Sequence, residues 1–166
     1  MRTLLSSAQL RYCNVYNLLR SAERAELYPG DREDDVDFCY PQHEARLLSG
    51  WYELEGEFGN KFRWIGPRAS VRLKRIRPGP QRVRIRGHAH PNSFTQGKPV
   101  HVEVRANGES VGGRELDRAG LFIFEADLPQ ADEYTIEVAA SPEWTAPPDD
   151  RVFTLTLSRI RLLPRE

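Results

Sequence analysis

The sequence has no excess of either charge. Lysine plus arginine and aspartate plus glutamate both total 24 among 166 residues, so the formal net charge is zero. A protein that binds nucleic acid mainly through its phosphates needs a basic excess, because its cations displace the phosphate counterions. We therefore expect no nucleic-acid partner.

Cysteine is scarce, and long apolar runs are missing. Cys13 and Cys39 form no CxxC pair of the kind that holds zinc, and free thiols are the expectation, with a disulfide as the alternative. No apolar run reaches the ~18 to 20 residues that span a bilayer. The first residues also lack the apolar region and cleavage pattern of a signal peptide. We expect a cytoplasmic location and no transmembrane segment.

The common catalytic motifs GxSxG, HExxH, GxxxxGK[ST] and GxGxxG are absent. Glu53, Glu55 and Glu57 alternate along a predicted strand, and a spacing of about 6.5 to 7 Å is within reach of a glycosidase carboxylate pair. Alternating glutamates on an exposed strand mostly serve solubility and protect a sheet edge. We expect a protein without catalytic residues, and a small glycan-active enzyme is the alternative.

A possible metal half-site occurs in "RGHAHP", where His88 and His90 are two residues apart. A His-x-His pair on a strand is a common half-site for zinc or iron. No third ligand stands at an obvious spacing, so polar contacts at a strand end are the preferred interpretation. We expect neither a metal nor another cofactor.

The hydrophobic period changes near residue 50. Apolar residues from Leu4 to Ala22 are three or four apart, which predicts a helix that ends at "YPGD", residues 28–31. The acidic segment "DREDDVDFCYPQHE" that follows is interpreted as a linker or strap. Beyond it the period is two. We therefore predict an N-terminal helix and acidic strap over residues 1–48 and a β-sandwich domain over residues 49–166.

Three segments show the period-two pattern most clearly. Their alternating apolar residues are Val83 and Ile85; Val100, Val102 and Val104; and Tyr134, Ile136 and Val138. Such alternation indicates strands with one buried face, and closely spaced turn signals separate them. The pattern predicts an all-β protein with about eight or nine antiparallel strands in a two-sheet sandwich.

Two predicted strands break their own alternation. The apolar set jumps by three from Leu73 to Ile76, and again from Leu157 to Ile160. One extra residue in a strand lets the later apolar side chains point to the core again. We therefore predict β-bulges near Lys74 and near Ser158 and Arg159.

Arginines and aromatic residues supply the remaining candidate surfaces. Arg82, Arg84 and Arg86 alternate on one strand, and we expect Arg72 and Lys74 on a neighbouring strand. Pairing with Glu103 and Glu137 is the preferred interpretation, with phosphate binding as the alternative. The aromatic residues near strand ends are either core or a platform for a sugar ring; they are Trp51, Tyr52, Phe58, Phe62, Trp64 and Trp144.

The stretches "GWYELEGEFGNKFRWIGPRASVRL", "RIRGHAHP", "LPQADEYTIEVAASPEW" and "DDRVFTLTLSRIRLLP" resemble a β-sandwich accessory domain of bacterial glycosyltransferases, methyltransferases and other surface-polysaccharide proteins. The resemblance covers about residues 49–164. It implies a jelly-roll fold like that of carbohydrate-binding modules, which binds glycan or docks beside a catalytic domain. We expect no catalytic domain within these 166 residues, because residues 1–48 are too short for one.

By position, the resemblance singles out Trp51, Glu55, Arg63, Trp64, Trp144, Asp150 and Arg151, to which we add His88. We expect Trp51 and Trp64 to stack on sugar, and Arg63 and His88 to bind hydroxyls or a uronate. Glu55, Asp150 and Arg151 would brace the site. The leading hypothesis is a non-catalytic carbohydrate-binding module in surface-polysaccharide biosynthesis. The alternative is a protein-interaction domain that positions an enzyme or self-associates through a sheet face.

Overall fold

The computed structural model of the protein describes residues 32–57 and 59–165. The predicted N-terminal helix, Phe58 and Cys13 with its alternative pairing to Cys39 lie outside the described residues. Within the described part, no helix is long and apolar enough to cross a membrane.

The described residues form antiparallel sheets, which confirms the predicted fold class. Their strands are β1 (Asp35–Asp37), β2 (Trp51–Glu57), β3 (Asn60–Ile65), β4 (Arg68–Lys74), β5 (Gln81–Ala89), β6 (Val100–Ala106), β7 (Glu109–Leu116), β8 (Gly120–Asp127), β9 (Glu133–Ser141), β10 (Trp144–Ala146), β11 (Asp149–Phe153) and β12 (Thr156–Pro164). Two 3-10 helices, Pro41–Arg46 and Pro91–Phe94, connect strands. Without the short strands β1, β10 and β11, nine of these strands remain, which matches the predicted number.

Two main sheets enclose one core. The first has the order β2-β3-β12-β5-β8, with β1 also paired to β12, and the second has the order β4-β9-β6-β7. Strands β10 and β11 form a separate ribbon. The predicted inward residues of β5, β6 and β9 are buried in one apolar cluster that contains residues of both sheets. Burial of a side chain of this size stabilises the fold by about 1.5 to 3 kcal/mol.

The acidic segment before residue 49 adds a strand to the first sheet. Strand β1 pairs with β12, and Val36 and Phe38 are 0% and 3% exposed within the shared core. The sequence predicts a linker or strap here, but Val36 and Phe38 alternate with Asp35 and Asp37 at the period of a half-buried strand. The segment therefore contains regular elements, while the predicted domain boundary at residue 48 stays a prediction.

One predicted bulge is confirmed and the other is wrong. The register of β12 against β5 shifts between Leu157 and Arg159, as the broken alternation predicts. The ladder between β4 and β9 continues without a shift as far as Lys74, where β4 ends. Ile76 lies beyond the strand and is 44% exposed, so no bulge is needed to turn it inward.

Candidate functional site

A row of four side chains crosses the outer face of the first sheet. Thr156 of β12 lies opposite both Trp64 of β3 and His88 of β5, and His88 lies opposite Leu121 of β8. The next residues along these strands, including Ile65 and Leu157, are buried in the core. Because successive strand residues point to opposite faces, the four side chains of the row point away from the core.

This row lies in a cleft of about 270 Å³, which we call the Trp64 cleft. Its lining residues are Asn60, Phe62, Trp64, Arg86, Gly87, His88, His90, Leu121, Thr156 and Ser158. The volume is near the lower end of that of small-molecule sites, which combine apolar and aromatic walls with a few polar groups. The cleft has this composition, with indole, phenyl and imidazole rings beside hydroxyl and amide groups.

The ring of Trp64 is held in place by other aromatic rings. Its centroid is 5.1 Å from that of Phe153, 5.4 Å from that of Trp144 and 6.4 Å from that of Phe62, each in an edge-on arrangement. Such pairs contribute about 0.5 to 1.5 kcal/mol beyond the area that they bury. The cleft therefore has a preorganised wall.

His90 connects the wall of the cleft to the loop behind it. Its ring stacks on Trp144 at 5.3 Å, and its Nδ1 accepts a hydrogen bond from the backbone N–H of Asn92 at 3.1 Å. Burial, followed by the charge of His88, lowers the pKa of His90 below its ordinary value. The neutral imidazole is therefore the favoured form, and it keeps Nδ1 available as an acceptor.

This lowered pKa predicts that part of the stability is lost in mild acid. As pH falls through about 6.5, the ordinary pKa of histidine, the unfolded chain takes up a proton before folded His90 does. The free energy of unfolding therefore decreases until the lower folded-state pKa is reached. We expect His90→Asn, which keeps an acceptor for Asn92 but does not titrate, to flatten this part of the curve.

Urea unfolding of both proteins at intervals from pH 7.5 to 5 measures the effect. The change in unfolding free energy over this range, rather than its absolute value, is the quantity to compare, because asparagine also removes ring contacts. An equal decrease in both proteins would assign the acid sensitivity to other groups.

Trp144 supports the cleft from behind and does not line it. Its Nε1 donates a hydrogen bond of 3.0 Å to Oγ of the buried Ser93. Its ring also packs on that of Phe153 at a centroid distance of 4.9 Å. An indole with a satisfied N–H and this packing fixes its neighbours, so we assign Trp144 a supporting role.

Arg151 and Glu55 form a second group beside the aromatic wall. The guanidinium of Arg151 lies 4.9 Å from the ring centroid of Phe153 and 5.3 Å from that of Tyr52. It makes ion pairs with Asp149 at 2.7 Å and with Glu55 at 3.5 Å. Hydrogen bonds from Arg151 to the Asp149 carboxylate lower the pKa of Asp149.

Of the three residues predicted to brace the site, Glu55 and Arg151 form an ion pair, and the aspartate beside Arg151 is Asp149 rather than Asp150. Their role as a brace stays a prediction. Asp150 is exposed, and its neighbour Asp149 pairs with Arg151. Residues two apart on a strand share a face, so the spacing of Asp149 and Arg151 in β11 already indicated this pair.

Arg63 and Trp51 lie away from the cleft. Arg63 directly precedes Trp64 in β3 and so points to the opposite face, where it pairs with Glu44 and donates to the Tyr52 carbonyl at 2.7 Å. The Nε1 of Trp51 donates to the Ser70 carbonyl at 2.8 Å, and its ring packs edge-on against Phe38. The structure thus separates both residues from Trp64 and His88, with which the sequence grouped them.

The carboxylates of β2 do not form a regular row. The pairing of β2 with β3 is irregular between Trp51 and Leu54, so Glu53 lies in the interrupted stretch. Glu55 is paired with Arg151, and Glu57 is exposed at the hairpin end. In residues 32–57 and 59–165, no three histidine, cysteine, aspartate or glutamate side chains are grouped so that they could hold a metal ion.

Arg82 and Arg84 of β5 do pair with acids, but the predicted partners are wrong. Arg82 pairs with Asp127 at 3.1 Å, and Arg84 pairs with Glu125. Both acids belong to β8, which is the hydrogen-bonded neighbour of β5. Glu103 and Glu137, and also Arg72 and Lys74, belong to the second sheet. Alternation along a strand cannot identify its neighbour, so the sequence pattern could not supply these pairs.

Several lining residues were not singled out as ligand-binding in the sequence. Asn60, Thr156 and Ser158 bring an amide and two hydroxyls to the cleft, and Arg86 and Leu121 lie at its end. The broken alternation at Ser158 was the available signal, because a bulge often redirects side chains beside a functional site.

Comparison of the sequence with protein-family models and with curated proteins finds no match. Solved structures with a similar chain path include a family 115 4-O-methyl-α-glucuronidase with specificity for decorated arabinogalactans. The TM-score is 0.49 with 11% identity, over 80% of this chain and 17% of the enzyme.

Two carbohydrate-binding modules are also similar in structure. One is the family 36 module of a xylanase from the hindgut metagenome of Trinervitermes trinervoides, with a TM-score of 0.46 and 13% identity over 74% of this chain and 94% of the module. The other is a family 35 module from Clostridium thermocellum, with a TM-score of 0.40 and 8% identity over 80% of this chain and 89% of the module. The structural neighbours thus include carbohydrate-binding modules with a β-sandwich fold.

Proposed function

We propose that this protein is a carbohydrate-binding module and that the Trp64 cleft is its sugar site. The observation that carries the proposal is the composition of the cleft, where the rings of Phe62 and Trp64 adjoin His88, Asn60 and Ser158. A pyranose has an apolar C–H face and a rim of hydroxyls, so it needs a flat ring beside groups that donate and accept hydrogen bonds.

The same proposal includes a biological role for the module, its location and its partner. The resemblance of residues 49–164 to accessory domains of bacterial glycosyltransferases and methyltransferases supports a non-catalytic role in surface-polysaccharide biosynthesis. A cytoplasmic location and a catalytic partner would follow from that role.

A second candidate is a protein-interaction domain that self-associates through the first sheet. It is favoured by Leu121 and Ile123, which are 72% and 53% exposed on β8. Association that increases with protein concentration in sedimentation velocity, without affinity for any glycan, would support this candidate over the first.

The sugar site is tested by comparing tryptophan substitutions inside and outside the cleft. We expect Trp64→Phe to weaken glycan binding several-fold because the smaller ring offers less stacking surface. His88→Ala is expected to weaken it about fivefold, because one hydrogen bond is worth about 1 kcal/mol. Trp51→Phe is the matched control, since Trp51 is half-buried but does not line the cleft.

A glycan array identifies ligands of the wild type, and calorimetry then gives the dissociation constant for each variant. Equal weakening by Trp51→Phe and Trp64→Phe would place the binding elsewhere. If no glycan binds the wild type, the proposed function is wrong.

A further inference from the structure

A groove lined by five arginines adjoins the Trp64 cleft on the outer face of the first sheet. It has a volume of about 610 Å³, and we call it the arginine groove. Its lining residues are Arg84, Arg86, Arg114, Leu121, Phe122, Ile123, Arg159 and Arg161. This lining contains no acidic residue. Arg86 and Leu121 also line the Trp64 cleft, so the two depressions are continuous.

Strand register brings four of these arginines into opposed pairs. Arg159 of β12 lies opposite Arg86 of β5, and Arg161 lies opposite Arg84. Like charges directly opposite each other on neighbouring strands destabilise a sheet. The arrangement depends on the β-bulge at Ser158, because unbroken alternation after Thr156 would turn Arg159 toward the core. The bulge that the sequence predicts therefore builds this cationic surface.

Nearby carboxylates neutralise only part of the positive charge. Glu125 pairs with Arg84, and Asp35 pairs with Arg159. Arg86 and Arg161 make no ion pair with a carboxylate in the described part of the chain, and Arg114 donates instead to the Ile123 carbonyl at 2.8 Å. Burial and then the positive charge of Arg159 lower the pKa of Arg161; the negative charge of Asp35 opposes this decrease, and Arg84 and Arg32 add smaller contributions to it. An anion in the groove would relieve this repulsion.

The arginine groove does not suit the other available occupants. Residues 1–31 carry four arginines against three acidic residues, so they have no net negative charge to complement it. A second copy that presented the same face across a two-fold axis would oppose arginine to arginine. The overall charge balance of the chain disfavours nucleic acid.

We propose that the arginine groove binds acidic groups of a glycan whose neighbouring sugar ring occupies the Trp64 cleft. This inference rests on the proposed function and adds the ligand class, an anionic polysaccharide with carboxylate or sulfate groups. Arg86 lies where the two depressions meet, and guanidinium groups bind both kinds of anion through paired N–H donors. Arg84 and Arg86 are two residues apart on β5, so successive rows lie about 7 Å apart and can contact separate acidic groups.

The test compares acidic and neutral forms of the same polymers. Polygalacturonate is paired with its fully methyl-esterified form, and dextran sulfate is paired with dextran, so the two arms distinguish carboxylate from sulfate. In 50 mM salt we expect at least one acidic form to bind about tenfold or more tightly than its neutral partner. This advantage should shrink in 500 mM salt, because exposed charges are screened.

Charge-removing variants locate the effect. We expect Arg84→Gln with Arg161→Gln, neither of which lines the Trp64 cleft, to abolish most of the advantage of the acidic form while leaving binding of the neutral form nearly unchanged. Arg72→Gln is the matched control, because Arg72 is an exposed arginine on β4 of the other sheet. Thermal unfolding of each variant verifies that it is folded, and Arg161→Gln alone serves if the double variant is not.

The outcomes separate the two proposals. If acidic and neutral forms bind equally through Trp64, the ligand class is wrong and the sugar site stands. If no polysaccharide binds at all, both proposals fail. Loss of affinity in Arg72→Gln equal to that in the double variant would overturn the assignment to the groove. Inorganic polyphosphate or duplex DNA binding as tightly as the acidic polysaccharides would show unspecific attraction of polyanions and overturn the glycan assignment.

Discussion

Replacing Phe38 with alanine is expected to lower the free energy of unfolding by about 3 to 5 kcal/mol. Phe38 is 3% exposed and belongs to the apolar core, although it precedes the predicted sandwich domain in the chain. Its ring packs edge-on against Trp51 at 5.4 Å, and the guanidinium of Arg63 lies 5.7 Å from its centroid. Truncation would leave a cavity between these groups.

Equilibrium unfolding in urea measures the loss, and Leu48→Ala in the same segment is the control. Leu48 is 46% exposed, so its replacement is expected to change stability by about 0.5 kcal/mol or less. The comparison also tests the predicted boundary at residue 48. If Phe38→Ala costs less than about 1 kcal/mol, residues 32–48 are a strap that the sandwich does not need; a full loss makes them part of its core.

The sequence predicts most of the fold because hydrophobic alternation is a local signal. Tyr134, Ile136 and Val138 are 1%, 0% and 0% exposed, as their spacing requires. The bulge at Ser158 was also predictable, because the strand continues on both sides of the break. The same break after Leu73 only marks the end of a strand, and apolar spacing does not distinguish these two cases.

The candidate site was less predictable for a geometric reason. Arg63 and Trp64 are adjacent in the sequence and were assigned to one site, yet adjacent strand residues point to opposite faces. That separation could have been inferred from alternation. The row of Trp64, Thr156 and His88 could not be inferred from alternation. It requires the strand order β3-β12-β5, in which strands that are distant in the sequence become neighbours. The arginine pairs across β5 and β12 depend on the same order.

Gly50→Ala is expected to destabilise the protein by about 3 kcal/mol or more, because two unfavourable effects combine. Gly50 has a φ of +83°, a conformation that costs a residue with a side chain about 1 to 2 kcal/mol. A Cβ at this position would also lie 1.8 Å from the Arg68 carbonyl oxygen. Relief of that clash has to move backbone, since Ser70 N–H donates to the adjacent Ser49 carbonyl at 2.9 Å.

Gly108→Ala separates the two effects. Gly108 has a nearly equal φ of +86°, and a Cβ there would have no atom within 4 Å. We expect urea unfolding to give a loss of about 1 to 2 kcal/mol for Gly108→Ala and a clearly larger loss for Gly50→Ala. Equal losses would mean that the approach of Gly50 to Arg68 does not constrain the fold. A larger loss for Gly50→Ala would give a structural reason for the glycine and tryptophan at positions 50 and 51. Gly50 permits the close approach to Arg68, and Trp51 then donates a hydrogen bond to the Ser70 carbonyl of β4. The resemblance to the accessory domains at Gly50 and Trp51 would then reflect the contact between the two sheets. The proposed sugar contacts would be made by Trp64 and the other side chains of its row.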